Sequence, residues 1–438
     1  MLQSRYPHSL ASSNHRVDDT AKAICSVLAA LILFVHFGSA FGPAIPVVSL
    51  GAAVAIFVIM RDRLDQTRGW AWLLALPLLA LLSSIWSTSP SVTLYYGAQL
   101  LITVLCALAI WLASDPRTFL RQLLAAATAI CVVSIVGGQT GPSVTGPVLI
   151  GVTGSKNSMA AAAQIVLLTG LAIAVDSRQP RTWRLAGVAL APLGVWLVAT
   201  THAATIIILS IAAPVLYVAM MALRAAPAKL RPFLLAAVLA MGLGLAPVAN
   251  QLGDLSKDYT FQTFHKDSKL SGRTYLWKVA EQKIAERPFH GYGYKAFWMS
   301  GSIESIGLLR SQSIRDPRTF SLHQTYLEIW LDTGLIGLVT LVATIAAGIA
   351  AALWRVAKGE GGAAAFGAVF LIFLVVRSFG ETLIVSFYPY CTIVYVLIAF
   401  ALLGPVRAAL PQARTLRRRQ FYLRNPPDQP GALLPSAL

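Results

Sequence analysis

In a chain of 438 residues, 56% of positions are hydrophobic, 12% are charged and the mean hydropathy is +0.67. That balance excludes a water-soluble domain, in which about a quarter of the residues carry charge. The formal net charge of +17 would point to nucleic acid in a soluble protein, but no nucleic-acid motif accompanies it.

The apolar residues come in runs long enough to cross a hydrocarbon core of about 30 Å, which takes about 20 helical residues. In chain order the predicted spans are 21–37, 44–60, 69–85, 93–113, 119–136 and 157–175, then 185–199, 203–223, 232–248, 325–354, 361–376 and 383–403. Twelve spans define an all-α integral membrane protein. The first run lacks a small-residue cleavage site and leads at once into a second run, so it reads as a span rather than a signal peptide.

Basic residues mark one side. Arg5 and Arg16 precede the first span and Lys22 stands at its start, and Arg61, Arg63 and Arg68, Arg117 and Arg121, Arg178, Arg181 and Arg184, Arg224, Lys229 and Arg231, and Arg355 and Lys358 occupy every second loop. The positive-inside rule therefore places both termini in the cytoplasm. The run Arg417, Arg418, Arg419 reads as a cytoplasmic anchor to anionic membrane lipids. Among the alternate short loops only Lys156 and Arg377 break the pattern. Cys25, Cys106, Cys131 and Cys391 sit in or beside apolar spans and read as core residues, neither disulfides nor metal ligands.

The domain layout follows: nine spans over 1–249, a large outer loop over 250–322, three spans over 323–405 and a basic tail over 406–438. The loop is too long for a plain connection, and its Tyr, Trp and Phe residues are too many for a linker. It carries eleven Lys and Arg against seven Asp and Glu, which suits an anionic ligand at the membrane surface. From Ser271 a helix begins in which Leu276, Val279, Ala280 and Ile284 share a face, and Pro288 ends it. This amphipathic helix is expected along the outer membrane surface, with Trp277 at the interface. His290-Gly291-Tyr292-Gly293-Tyr294 forms a glycine turn, followed by Arg310, Arg315, Arg318 and, at the start of the tenth span, His323.

Three segments carry a resemblance. They are Lys266-Asp267-Ser268-Lys269-Leu270-Ser271-Gly272-Arg273-Thr274-Tyr275-Leu276-Trp277, then Glu286-Arg287-Pro288-Phe289-His290-Gly291-Tyr292-Gly293, then His323-Gln324-Thr325-Tyr326-Leu327-Glu328 with Thr333-Gly334-Leu335-Ile336-Gly337. In order and spacing they resemble the O-antigen ligase and polymerase superfamily, nearest its rhizobial-type exopolysaccharide polymerases. Gly154-Ser155-Lys156-Asn157 and Arg377-Ser378-Phe379-Gly380-Glu381 add weaker matches. Where the family commonly has a Ser-rich segment with Arg or Lys at the outer start of the eighth span, this chain has Thr200-Thr201-His202, so a basic phosphate contact is either missing or replaced by His202.

The resemblance implies a GT-C-like glycosyltransferase of the bacterial inner membrane with a periplasmic active site and neither metal nor cofactor. Its donor would be a glycan linked to polyprenyl diphosphate. The acceptor would be another glycan, for a polymerase, or the lipid A core, for an O-antigen ligase. Partners would include polysaccharide export and chain-length machinery. Under that reading Arg273 grips phosphate, since a guanidinium binds two oxygens and stays charged. His323 draws a proton from the acceptor hydroxyl or orients it. Lys156, Arg377, Arg310, Arg315, Arg318, Glu328, Glu381 and His202 are expected to contact substrate. Plain structural alternatives remain: a surface ion pair for Arg273, a helix-end cap for His323 and a lipid snorkeler for Arg377. A lipid-linked oligosaccharide flippase is the reading from another class, but the sequence holds no internal repeat.

Overall fold

The computed structural model describes residues 8–66, 70–141, 146–227, 229–231, 233–234, 236–237, 240, 273–311, 314, 316–385 and 390–404. The predicted ninth span lies almost wholly outside these residues, as do loop residues 250–272, Arg315 and the tail from 405 onward. Residues 1–402 form one compact unit, of which the following architecture is described.

The helices are α1 (His8–Phe37), α2 (Ala44–Ile59), α3 (Trp70–Leu82), α4 (Pro90–Ala113), α5 (Pro116–Gly137), α6 (Lys156–Val175), α7 (Arg181–Thr200) and α8 (Ala204–Ala225). After the outer loop begins they continue as α9 (Arg273–Glu286), α10 (Ala296–Met299), α11 (Ile303–Ser311), α12 (Thr325–Ala357), α13 (Gly362–Ser378) and α14 (Tyr390–Leu403). Among the described residues seven helices are long and apolar enough to cross a membrane, within α1, α4 to α8 and α12, and α2, α3, α13 and α14 are shorter apolar helices. Among the described residues one antiparallel pair, Thr140–Gly141 with Val148–Leu149, accompanies the helices.

Local chemistry sets several ends. Asp115 caps α5 by accepting from Arg117 and Thr118 backbone N–H groups at 2.9 and 3.2 Å, Pro116 fills the first turn, and Gly138 closes the helix at φ 61°. Ser155 caps α6 through Ser158 N at 3.1 Å, and the Gln324 side chain caps α12 through Leu327 N. Packing then follows membrane rules. A Cβ on Gly187 would lie 2.5 Å from the Gly170 carbonyl, and one on Gly194 would lie 2.7 Å from Leu167 N, so small residues let α6 and α7 touch backbone to backbone. On α8, Ile211, Val215 and Val218 form one row at 71%, 58% and 66% exposure, an apolar stripe that belongs against lipid. The chain is a multi-pass membrane protein.

Three expectations change. The last span was expected from Leu383, yet α14 starts at Tyr390, directly after Pro389. Residues 381–385 instead serve as a non-helical arm, in which Leu383 N donates to Thr325 Oγ1 at 3.1 Å and the Tyr294 hydroxyl donates to the Val385 carbonyl. The amphipathic α9 does exist, but its apolar face turns onto protein rather than lipid. Leu276, Ala280 and Ile284 are buried with Phe297, Trp298, Phe320, Leu322 and Leu331 in a core of the loop, and the half-buried Trp277 donates its indole N–H to the Leu322 carbonyl at 2.8 Å. Each large apolar side chain so buried contributes roughly 1.5–3 kcal/mol, which the loop's own aromatics supply more closely than lipid headgroups do.

The tenth predicted span is not continuous. Gly334 sits inside α12 at φ 71°, ψ −169°, which breaks the helix. The freed groups pair with the glycine turn: Tyr292 N donates to the Leu331 carbonyl at 2.9 Å, Gly293 N to the Asp332 carbonyl at 2.8 Å, and Leu335 N to the Pro288 carbonyl at 2.8 Å. From the α3–α4 connection, Trp86 donates its indole N–H to the His290 carbonyl at 2.7 Å and Thr88 N donates to the Tyr292 carbonyl at 3.0 Å. The outer loop is thus stitched into a broken helix, where buried backbone groups need partners.

Candidate functional site

Glu381, on the arm after α13, is where separate elements meet. Asn157, second residue of α6, donates its side-chain N–H to Glu381 Oε1 at 2.6 Å. Arg273, first residue of α9, places Nη2 at 3.7 Å from the same oxygen while Nη1 donates to the Gly380 carbonyl at 2.9 Å. His323 Nδ1 stands 3.3 Å from Glu381 Oε2. The Thr325 hydroxyl donates to the Glu381 carbonyl at 2.8 Å, and Glu381 N donates to the Arg377 carbonyl at 2.9 Å.

The electrostatics are lopsided. Burial pushes the Glu381 carboxyl up, but the hydrogen bond and charge of His323 and the charges of Arg273 and Arg377 outweigh it and hold the group below the usual carboxylate range. Arg377 is 6% exposed, whereas the side chains of Arg273 and His323 are 34% and 37% exposed. Two permanent cations, Arg273 and Arg377, act on one carboxylate, so the cluster retains positive charge for an anion. The reachable atoms of His323 and Arg273 line its open side. His323 itself has φ 52°, a left-handed backbone rare for a non-glycine residue.

Behind it, Glu328 is fully buried. Its Oε1 accepts from Lys295 Nζ at 2.8 Å and from the Trp298 indole at 3.2 Å, and Oε2 accepts from Leu322 N at 2.6 Å. Glu328 therefore holds the backbone one residue before His323 and faces the interior, not an outer solute. Burial pulls the Lys295 ammonium down, but the charges of Glu328 and Asp332 and the Glu328 hydrogen bond outweigh it and keep the ammonium protonated. Lys295→Met leaves two buried carboxylates without their cation, and breaking such a pair costs about 3–5 kcal/mol. The expected result is a sharply lowered melting temperature of the purified protein in detergent; an unchanged melt would refute the clamp.

The other predicted residues are more dispersed. His202 is exposed at the α7–α8 turn with φ 51°, and among the described residues no hydrogen bond or ion pair joins it to Glu381. Arg310 is exposed in the last turn of α11, and Arg318 pairs with Asp316 through two contacts of 2.9 Å. Arg315 lies outside the described residues. Asn157, Thr325 and Lys295 were missed as site residues, because an Asn or Thr at a helix start carries no signal of its partner. Among the described residues no group of three or more His, Cys, Asp or Glu gathers as metal ligands.

A family model described as O-antigen ligase matches residues 142–342. Those residues are similar to the O-antigen ligase family. It is also 30% identical over 288 residues to the exopolysaccharide production protein ExoQ of Rhizobium meliloti (strain 1021), a match covering 65% of this chain and 66% of that protein, just under two thirds of its length. The matched residues include Lys156, Asn157, Arg273 and His323 but stop before Arg377 and Glu381. The carboxylate on which the cluster converges is therefore supplied from beyond the matched domain.

Proposed function

We propose that the chain is a polysaccharide polymerase of the bacterial inner membrane, acting at the periplasmic face on a glycan linked to polyprenyl diphosphate. The observation that carries this reading is the convergence of Arg273, Arg377, His323 and Asn157 on Glu381, on the face that bears the outer loop. The basic loops support twelve spans with both termini in the cytoplasm and this face outward. An outward site has no access to cytoplasmic nucleotide sugars, so the donor arrives lipid-linked.

In this reading a hydroxyl of the acceptor glycan attacks the anomeric carbon of the donor. His323 takes the hydroxyl proton as the new glycosidic bond forms and the bond from that carbon to the diphosphate oxygen breaks. Charge develops on the leaving diphosphate, and Arg273, with Arg377 and Lys156 behind it, stabilises that charge without a metal. Glu381 holds the guanidinium of Arg273 loosely at 3.7 Å, so the diphosphate can displace it as the better partner. Glu328 acts by positioning His323. Activity of the purified protein is therefore expected to survive EDTA, and loss of turnover that Mg²⁺ or Mn²⁺ restores would rule out the cationic mechanism.

The family description favours a second reading, an O-antigen ligase that delivers finished polymer to the lipid A core. Glycan analysis of a deletion strain separates the two. Accumulation of single lipid-linked repeat units supports the polymerase; intact polymer missing from lipid A overturns it in favour of the ligase.

A further inference from the structure

We propose that a second cavity, apart from the Glu381 cluster, binds sugar rings of the glycan chain. It lies where α1, the α1–α2 connection, α2 and α4 face the loop residues Met299, Asp316 and Arg318, and it encloses about 500 Å³. Pockets that hold small organic ligands span ~300–1,000 Å³.

Its walls have the chemistry of a saccharide site. Ser91, Tyr95 and Gln99 recur every four residues along α4 and so share one helix face, and all three line the cavity. Tyr95 is 60% exposed and its ring stands edge-on to Tyr96 at 5.0 Å between centroids, which leaves a ring surface for the C–H face of a sugar. The side-chain oxygen of Gln99 is buried, and among the described residues no protein donor reaches it. A sugar hydroxyl is a donor of the right size for such an acceptor. At the rim the Asp316 carboxylate and Arg318 guanidinium are locked together through both oxygens, a planar pair that offers acceptors and donors side by side. Pro43, Ile45, Pro46, Val92, Ile102 and Met299 also line the cavity, and against that apolar surface Ser91, Gln99 and the Asp316–Arg318 pair supply the hydrogen-bond partners that a sugar uses and a hydrocarbon leaves unpaired.

The cavity is also within reach of the proposed reaction centre. His323 lies five positions after Arg318, which at full extension is about 17 Å. Between them in the chain, Phe320 packs edge-on against Trp298 at 4.8 Å and against His323 at 6.1 Å, so aromatic contacts tie the segment after Arg318 to His323. A glycan seated in the cavity can therefore extend a later sugar toward His323. This inference rests on the polymerase reading for the identity of the bound chain.

The test titrates the full-length protein in nanodiscs by microscale thermophoresis with two probes. One is the oligosaccharide cut by mild acid from the producing strain's own secreted polysaccharide, and the other is undecaprenyl diphosphate. Tyr95→Ala and Gln99→Leu are each expected to weaken oligosaccharide binding at least tenfold and to leave undecaprenyl diphosphate binding unchanged. Oligosaccharide binding that neither substitution alters, or no binding to the wild type, overturns the proposal, as does loss of undecaprenyl diphosphate binding in its place. Tyr95 is exposed, so its variant tests the site should Gln99→Leu fail to fold. Arg377→Ala serves as the separate control: if it leaves undecaprenyl diphosphate binding intact, the diphosphate site fails while the sugar cavity stands.

Discussion

Arg273→Ala is expected to cut polymer formation about 10²–10³-fold, the usual loss when one fixed donor to a developing anion is removed. Membrane abundance should stay at the wild-type level, because the side chain is one-third exposed and its ion pair with Glu381, at 3.7 Å, contributes little to stability. Arg273→Lys keeps the charge but loses the two-pronged contact, so it should recover only part of the activity. His323→Ala removes the proposed base, and such groups are worth about 10²–10⁴-fold. The readouts are polymer length in a complemented deletion strain and turnover of lipid-linked repeat units by the purified protein. Normal-length polymer from a stably expressed Arg273→Ala, His323→Ala double variant would remove both residues from the mechanism.

Gly334→Ala should have the larger structural effect. A Cβ there would lie 2.2 Å from His290 N and from the carbonyl carbon and oxygen of Phe289, all backbone atoms that cannot rotate away. The conformation at φ 71°, ψ −169° is one that glycine alone adopts readily, and forcing another residue into it costs about 1–3 kcal/mol before any clash. The glycine turn must then leave the break in α12, giving up the pairing of Tyr292, Gly293 and Leu335 and with it the seat of the outer loop. The expected outcome is rapid proteolysis within the loop, a lowered melting temperature and no polymer. Gly301→Ala is the control, since its φ of 68° is also positive but nothing lies within 4 Å of the added Cβ. Equal effects from the two substitutions would show that strain alone, not loop docking, accounts for the loss.

How much of this was readable in advance depends on the physical range of each signal. Apolar runs of about 20 residues report the solvent directly, so α4 to α8 appear in the sequence within a few residues of their observed ends. Loop charge divides the connections into basic and non-basic ones, which is why Lys156 and Arg377 stood out among the non-basic set. The glycines of the His290–Tyr294 turn and Gly334 were visible as motifs, but the sequence did not say that each exists for the other.

The amino-acid sequence by itself determined the membrane class, the existence of α9, the candidate cations and the prominence of His323. These are local properties of length, periodicity and residue type. Only the tertiary structure decided which groups meet. A carboxylate carries no mark of its partners, so Glu328 and Glu381 looked alike in the sequence. Yet Glu328 is buried as the clamp on Leu322, while Glu381 gathers Asn157, Arg273 and His323 from three other segments of the chain and Arg377 from its own. Likewise an amphipathic helix seeks any apolar surface, and the face of α9 found the loop's own aromatic core rather than lipid because Phe297, Trp298 and Phe320 were folded beside it. Long-range convergence of this kind depends on how the bundle packs, and packing is set by contacts between residues far apart in the chain.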